Sequence, residues 1–275
     1  MADLVSAAWL DENRRRDDVI ILDASLRSPI SKGGGEDAGV IPGALRVDLD
    51  TQFCDPDSDL PHMLASPERF ANDACVLGIG RSDALVIYDR QGIYASARLW
   101  AMLRAMGHER VVLLDGGLPG WIRSGLPLAL SHAEAAGRGN FTPRPDKTGF
   151  CDAGRVREAL LDESCAVIDA RSAARFRGEA PEPRAGLRGG HMPGAFNLPF
   201  EAVLADGFVK PAETLAQIFS DLIGARRRLI FSCGSGVTAC IPAFAARLAG
   251  YTDIAIYDGS WAEWGRRSDL PVSVA

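Results

Sequence analysis

No apolar run in the chain approaches the length needed to cross a bilayer, so the sequence contains no candidate membrane-spanning helix. A surplus of positive charge is also missing: 30 Lys and Arg against 36 Asp and Glu leave a net charge of −6 and a pI near 5.3. That balance gives no electrostatic footprint for nucleic acid or for an anionic membrane surface. The six cysteines, Cys54, Cys75, Cys151, Cys165, Cys233 and Cys240, never stand in CxxC spacing, which argues against a zinc site or a dithiol redox motif. The opening MADLVSAAWLDENRRRDD has no basic region followed by an apolar core, and scattered free thiols suit a reducing compartment. The expectation is a cytoplasmic protein. What is present is an ordinary globular composition, 47% hydrophobic and 24% charged with mean hydropathy +0.01, over 275 residues. Two domains fit that length better than one core.

The same order of signals runs through the chain twice. Val19 to Ser25 (VIILDAS) answers Ala166 to Ser172, and Gly39 to Ala44 (GVIPGA) answers Gly190 to Ala195 (GHMPGA). Ala84 to Asp89 (ALVIYD) answers Arg228 to Cys233 (RLIFSC), each opening an Ala-rich helical pattern, and Val111 to Gly117 (VVLLDGG) answers Ile254 to Ser260 (IAIYDGS). This is a duplicated domain. Within each copy, short β-branched runs alternate with helix-period segments, the pattern of strands joined by crossover helices in a mostly parallel sheet covered on both faces. Residues 131–150 are rich in Gly, Pro and charge without periodicity and read as a linker. The expected architecture is α/β: a first domain over 1–130, the linker, and a second domain over 151–275.

Chemistry is expected beyond the carboxyl ends of such strands, and Cys233 stands there, in the turn Cys233, Gly234, Ser235, Gly236, Val237, Thr238. Two glycines let the backbone fold around the sulfur, so that main-chain N–H groups and a helix N-terminus face it and favour a thiolate. On these residues alone, a packing cysteine is as admissible as a reactive one. The matching position in the first copy is Asp89, which cannot be a sulfur nucleophile.

Taken in order, Asp169 to Arg171 (DAR), Arg175 to Arg184 (RFRGEAPEPR), Gly190 to Ala195 (GHMPGA), the cysteine loop and Tyr257 to Gly265 (YDGSWAEWG) resemble a two-domain rhodanese-family sulfurtransferase over nearly the whole chain. The resemblance implies two rhodanese-like domains, of which the second is catalytic. Within the family the loop looks like that of the 3-mercaptopyruvate sulfurtransferases, because Gly234 and Ser235 are neutral where thiosulfate-type members carry basic residues. Phosphatases sharing the fold place an arginine six positions after the cysteine, where this chain has Ala239.

The resemblance implies Cys233 as nucleophile, with Gly234, Gly236, Val237 and Thr238 lending main-chain N–H groups, and Arg175 and Arg184 binding the donor's carboxylate and carbonyl. It also implies a proton relay of Ser235, His62 and Asp50, with Asp48 as the alternative carboxylate. Arg177 and Arg188 lie close enough in sequence to be confused with the binding arginines. His191 is read as a hydrogen-bonding turn residue, Cys240 as packing, Trp264 as core and Trp261 as a wall of the substrate pocket. Sulfur would pass from 3-mercaptopyruvate through a Cys233 persulfide to a thiol such as thioredoxin, a low-molecular-weight thiol or cyanide, releasing pyruvate. No metal, cofactor, nucleic acid or membrane partner is implied, and a monomer is expected. Thiosulfate as the preferred donor, or a persulfide carrier feeding a biosynthetic pathway, are the alternatives.

Overall fold

The computed structural model describes residues 3–26 and 39–274, and the chain divides into two compact units. Unit 1 comprises Met1–Pro56, Leu64–Asp146 and Asp206–Val209; unit 2 comprises Asp57–Met63, Lys147–Ala205 and Lys210–Ala275.

In unit 1 the strands β1 (Leu4–Val5), β2 (Val19–Asp23), β3 (Leu45–Arg46), β4 (Ala84–Tyr88) and β5 (Val111–Leu114) form one sheet in the order β1-β5-β4-β2-β3. Every pairing is parallel. The helices are α1 (Ala7–Asn13), α2 (Pro67–Val76), α3 (Ser96–Ala105) and α4 (Gly117–Arg123). Both β4 and β5 are buried at every residue, which is why they read as unbroken apolar runs rather than alternating ones.

The second part of the chain supplies β6 (Phe150–Cys151), β7 (Cys165–Asp169), β8 (Phe196–Asn197), the two-stranded pair β9 (Leu204–Ala205) and β10 (Phe208–Val209), β11 (Arg228–Ser232) and β12 (Asp253–Tyr257). Its helices are α5 (Ala153–Ala159), α6 (Ala173–Phe176), α7 (Ala212–Ile223), α8 (Cys240–Leu248) and α9 (Ser260–Trp264). The five-stranded sheet of unit 2 has the order β6-β12-β11-β7-β8, again all parallel. Position for position this is the order of unit 1, so the duplication legible in the sequence is also a duplication of topology. Each core centres on buried tryptophan: Trp121 in unit 1, Trp261 and Trp264 in unit 2. Burying a side chain such as Phe231 or Phe244, both fully enclosed, contributes about 1.5–3 kcal/mol.

Residues 131–149 contain no helix or strand, in keeping with their Gly and Pro content. Residues 131–146 nevertheless run along the rest of unit 1 as a strap, with the N–H groups of Ala133, Gly139, Phe141 and Asp146 donating to the carbonyls of Ala44, Cys75, Ile79 and Ala105 at 2.9, 2.8, 3.1 and 2.6 Å. An irregular segment can lie against a core only if its polar backbone is satisfied in this way.

Candidate active site

Cys233 directly follows β11, the middle strand of its sheet, between the ends of β7 and β12. It is 1% exposed. The loop curls because Gly236 takes φ +75°, a left-handed conformation that a side chain would strain. Its far end is tied to α8, with the Cys240 Sγ donating to the Gly236 carbonyl at 3.2 Å and the Cys240 and Ile241 N–H groups donating to the Val237 and Thr238 carbonyls. Pro242 sits in the first turn of α8, where its missing N–H removes no intrahelical bond. Among the described residues, the N–H groups of Gly234, Ser235, Val237 and Thr238 have no hydrogen-bond partner. Four N–H groups without partners, in the loop that begins at a buried cysteine, make a site for negative charge.

The near end of the loop is held by α9. Ser260 Oγ accepts the Cys233 N–H at 3.2 Å and donates to the Tyr257 carbonyl at 2.8 Å. The Trp261 and Ala262 N–H groups donate to the Cys233 and Gly234 carbonyls at 3.0 and 2.9 Å. Ser260 does this in a left-handed conformation, φ +49°, that costs a non-glycine residue on the order of 1 kcal/mol. The corresponding residue in unit 1 is Gly117, φ +51°, where an added Cβ would fall 2.2 Å from the Gly92 carbonyl oxygen.

Two guanidiniums reach the loop. A Cβ built on Gly234 would lie 3.2 Å from Arg175 Nη2 and 4.0 Å from Arg184 Nη1, so any side chain at 234 would meet both cations. Arg175 is steered by Glu182, whose carboxylate accepts from Nη2 at 2.5 Å and Nε at 3.3 Å. The same carboxylate takes Nη1 of Arg171 at 2.8 Å, and its side chain is 2% exposed. Arg171 is fully buried, bonded to Asp169 at the end of β7 and stacked 4.0 Å over the Trp261 ring. Arg184 has no hydrogen-bond or ion-pair partner among the described residues. Its neighbours in sequence are engaged elsewhere: Arg177 pairs with Glu179 at the surface, and Arg188 donates to the carbonyls of Trp264, Gly265, Arg267 and Leu270.

The remaining expected residues fall as follows. Ser235 and Thr238 are half-buried, and neither hydroxyl makes a hydrogen bond among the described residues. His62, half-buried with φ +59°, lies in the Asp57–Met63 segment that belongs to unit 2. Asp50 is exposed and belongs to unit 1; beside it Asp48 caps a turn, accepting from the Asp50 N–H at 3.2 Å and the Thr51 hydroxyl at 2.9 Å. His191 stacks on Phe176 at 3.9 Å and bonds its carbonyl through Nδ1 at 2.9 Å. Trp261 is not a pocket wall: it is completely buried, with Nε1 donating to the Arg188 carbonyl. Glu182 and Ser260 escape a sequence reading. The available signals were a lone acid two residues before Arg184 and a serine where the first copy has a glycine.

Burial pushes the Cys151 thiol up to about 12 and raises Cys165 and Cys54 as well, so those three favour the neutral thiol. Among the described residues no group of three or more His, Cys, Asp or Glu could hold a metal ion.

The loop of unit 1 has the same form with a different centre. Asp89 is buried, and its Oδ2 accepts the N–H groups of Tyr94, Ala95 and Ser96 at 2.7, 3.0 and 2.9 Å and the Ser96 hydroxyl at 2.7 Å. Its Oδ1 accepts the Gln91 N–H at 2.9 Å. Compared with known proteins, residues 6–124 and again 152–267 match the model of the rhodanese-like domain. The chain belongs to the rhodanese family. A mitochondrial thiosulfate/3-mercaptopyruvate sulfurtransferase of Arabidopsis thaliana is 40% identical, the match covering 98% of this chain and 77% of the relative. The human 3-mercaptopyruvate sulfurtransferase is 40% identical over 96% of this chain and 92% of its own length. A crystal structure from Escherichia coli, described as a 3-mercaptopyruvate sulfotransferase with the rhodanese fold, superimposes with a TM-score of 0.82 at 36% identity, covering 96% of this chain and all of that one. The two matched segments of this rhodanese-family chain each contain one of the two loops, Asp89 in the first and Cys233 in the second.

Proposed function

We propose that the chain is a 3-mercaptopyruvate sulfurtransferase acting through Cys233. The observation that carries this reading is the convergence of Arg175 and Arg184 on Gly234, one residue from a cysteine whose loop offers unsatisfied N–H groups. Arg184 has a planar fork free to take a carboxylate, and Arg175, held by Glu182, presents a second cation toward the carbonyl. The Cys233 thiolate attacks the sulfur of 3-mercaptopyruvate; the carbon–sulfur bond breaks, its electron pair remains on carbon as the enolate of pyruvate, and the sulfur stays on Cys233 as a persulfide. Loop N–H groups from Gly234 to Thr238 stabilise the charge on sulfur at each stage. The enolate takes its proton from the Ser235 hydroxyl, and His62, an imidazole of the same unit, is the group that recharges it. An acceptor thiolate, or cyanide, then attacks the outer sulfur and restores the Cys233 thiolate.

Thiosulfate is the second donor to consider, since the same two arginines suit an anion and a relative carries both donors in its name. The neutral side chains after Cys233 favour mercaptopyruvate, because a dianion needs more positive charge around its outer oxygens. The six free cysteines support a reducing compartment, which we take to be the cytoplasm. No described helix is long and apolar enough to cross a membrane.

The test is a side-by-side assay with cyanide as acceptor, following pyruvate from 3-mercaptopyruvate and thiocyanate from thiosulfate as kcat/KM. A clear preference for mercaptopyruvate is expected. A preference for thiosulfate would reverse the donor assignment, and inactivity with both would favour a persulfide carrier.

A further inference from the structure

Glu182 does more than brace an arginine. Asp169, Arg171, Glu182 and Arg175 form one chain of ion pairs, and Arg184 approaches Gly234 beside Arg175. Asp169 compensates Arg171, Glu182 compensates Arg175, and Arg184 alone is left with no partner among the described residues. Arginine keeps its charge at any working pH, so the arrangement presents one uncompensated positive charge beside Cys233. One positive charge matches a donor with one negative charge.

We infer that Glu182 adds to the donor selectivity of the neutral loop, by cancelling Arg175 so that the site favours a monoanionic carboxylate donor over a dianionic one. This rests on the sulfurtransferase reading above and adds to it a second source of the preference. Glu182 reaches the loop through Arg175 and is a positioning residue rather than a catalytic one. Because its side chain is 2% exposed and held between the guanidiniums of Arg171 and Arg175, its charge is poorly screened by solvent.

The experiment compares wild type, Glu182→Gln and Glu182→Asp, measuring kcat and KM for 3-mercaptopyruvate and thiosulfate with cyanide as common acceptor. Glu182→Gln leaves two uncompensated cations and should raise the thiosulfate-to-mercaptopyruvate ratio of kcat/KM by roughly tenfold or more, mainly through a lower KM for thiosulfate. Glu182→Asp keeps the charge at a changed distance; it should slow both donors while restoring a ratio close to that of wild type. Parallel losses with both donors in Glu182→Gln would overturn the inference and reduce Glu182 to a structural brace. If Glu182→Gln fails to fold, wild type still decides: a simple monocarboxylate should compete with 3-mercaptopyruvate better than sulfate does, and the opposite order overturns the inference. Wild-type inactivity with both donors would instead remove the sulfurtransferase reading and this inference with it. Wild-type activity with an unmoved ratio in the Gln variant removes this inference alone.

Discussion

The loop after β4 and the loop after β11 occupy the same place in two copies of one fold, and they differ in what fills them. In unit 1 the centre is Asp89, whose carboxylate is bonded by the N–H groups of Gln91, Tyr94, Ala95 and Ser96. In unit 2 the centre is Cys233, and the N–H groups of Ser235 and Thr238, which correspond to those of Gln91 and Tyr94, have no partner among the described residues. The turn between a parallel strand and its helix therefore makes a cradle for negative charge in both copies. A permanent carboxylate turns that cradle into a helix cap. A sulfur that can be thiolate or persulfide turns it into a site for chemistry.

The contrast makes opposite demands on the two loops. Cys233→Ser should abolish sulfur transfer while leaving the melting temperature close to that of wild type, because the hydroxyl fits the same loop but is no sulfur nucleophile; residual transfer above background would place the chemistry elsewhere. Asp89→Ala should do the reverse. It strands several buried N–H groups and should cost about 3 kcal/mol of stability in denaturant titration, with the transfer reaction of the remaining folded protein intact. Equal stability of Asp89→Ala and wild type would mean that the carboxylate is not what holds the unit 1 loop.

A smaller effect separates binding from bond-breaking. Arg184→Ala should raise KM for 3-mercaptopyruvate by roughly tenfold to a hundredfold, the worth of a charge-assisted pair, with a lesser change in kcat. Arg188→Ala should leave KM for the surviving folded enzyme near wild type and lower stability instead, since that guanidinium is spent on four carbonyls. If the two arginines exchanged these behaviours, the assignment of Arg184 to the donor would fail.

The smallest effect concerns the strand ends. Asp169 in unit 2 pairs with Arg171, whereas its counterpart Asp23 accepts from Ser25 and from His132 Nε2 at 3.0 Å. Burial on its own would raise the Asp23 carboxyl, but the hydrogen bonds from Ser25 and His132 outweigh it and hold the group below its ordinary value. A carboxyl depressed in the folded state stabilises above its unfolded value, near 4, and loses that contribution as the pH falls through the folded value. His132→Ala should therefore lower the melting temperature at neutral pH by a few degrees and flatten the acid limb of its pH profile. An unchanged acid limb would remove the His132 contribution.

Much of the fold is legible because its marks are local. Unbroken apolar runs ending in Asp23, Asp169, Asp89 and Cys233 fall at the carboxyl ends of β2, β7, β4 and β11, and the strand, glycine turn and helix around Cys233 are contiguous in sequence. The candidate site is legible only in part. Arg175, Arg177, Arg184 and Arg188 share one aperiodic segment, and their roles separate only in the fold, where Arg177 pairs with Glu179 at the surface and Arg188 reaches the end of α9. Glu182 looks like a surface acid between two prolines, since its burial exists only once Arg171 and Arg175 close over it. Ser260 gives no sign of its left-handed backbone except through the glycine that stands in its place in the duplicate. Trp261, expected against substrate, is drawn into the core beneath Arg171, a contact that no periodicity announces.

The measurement that reaches the central claim most directly is peptide mass spectrometry of the protein after brief exposure to 3-mercaptopyruvate without acceptor. One added sulfur on the peptide bearing Cys233, lost again on adding cyanide and missing from Cys233→Ser, is the result expected. Sulfur on any of the other five cysteines instead, or none on Cys233 while pyruvate accumulates, would contradict the account.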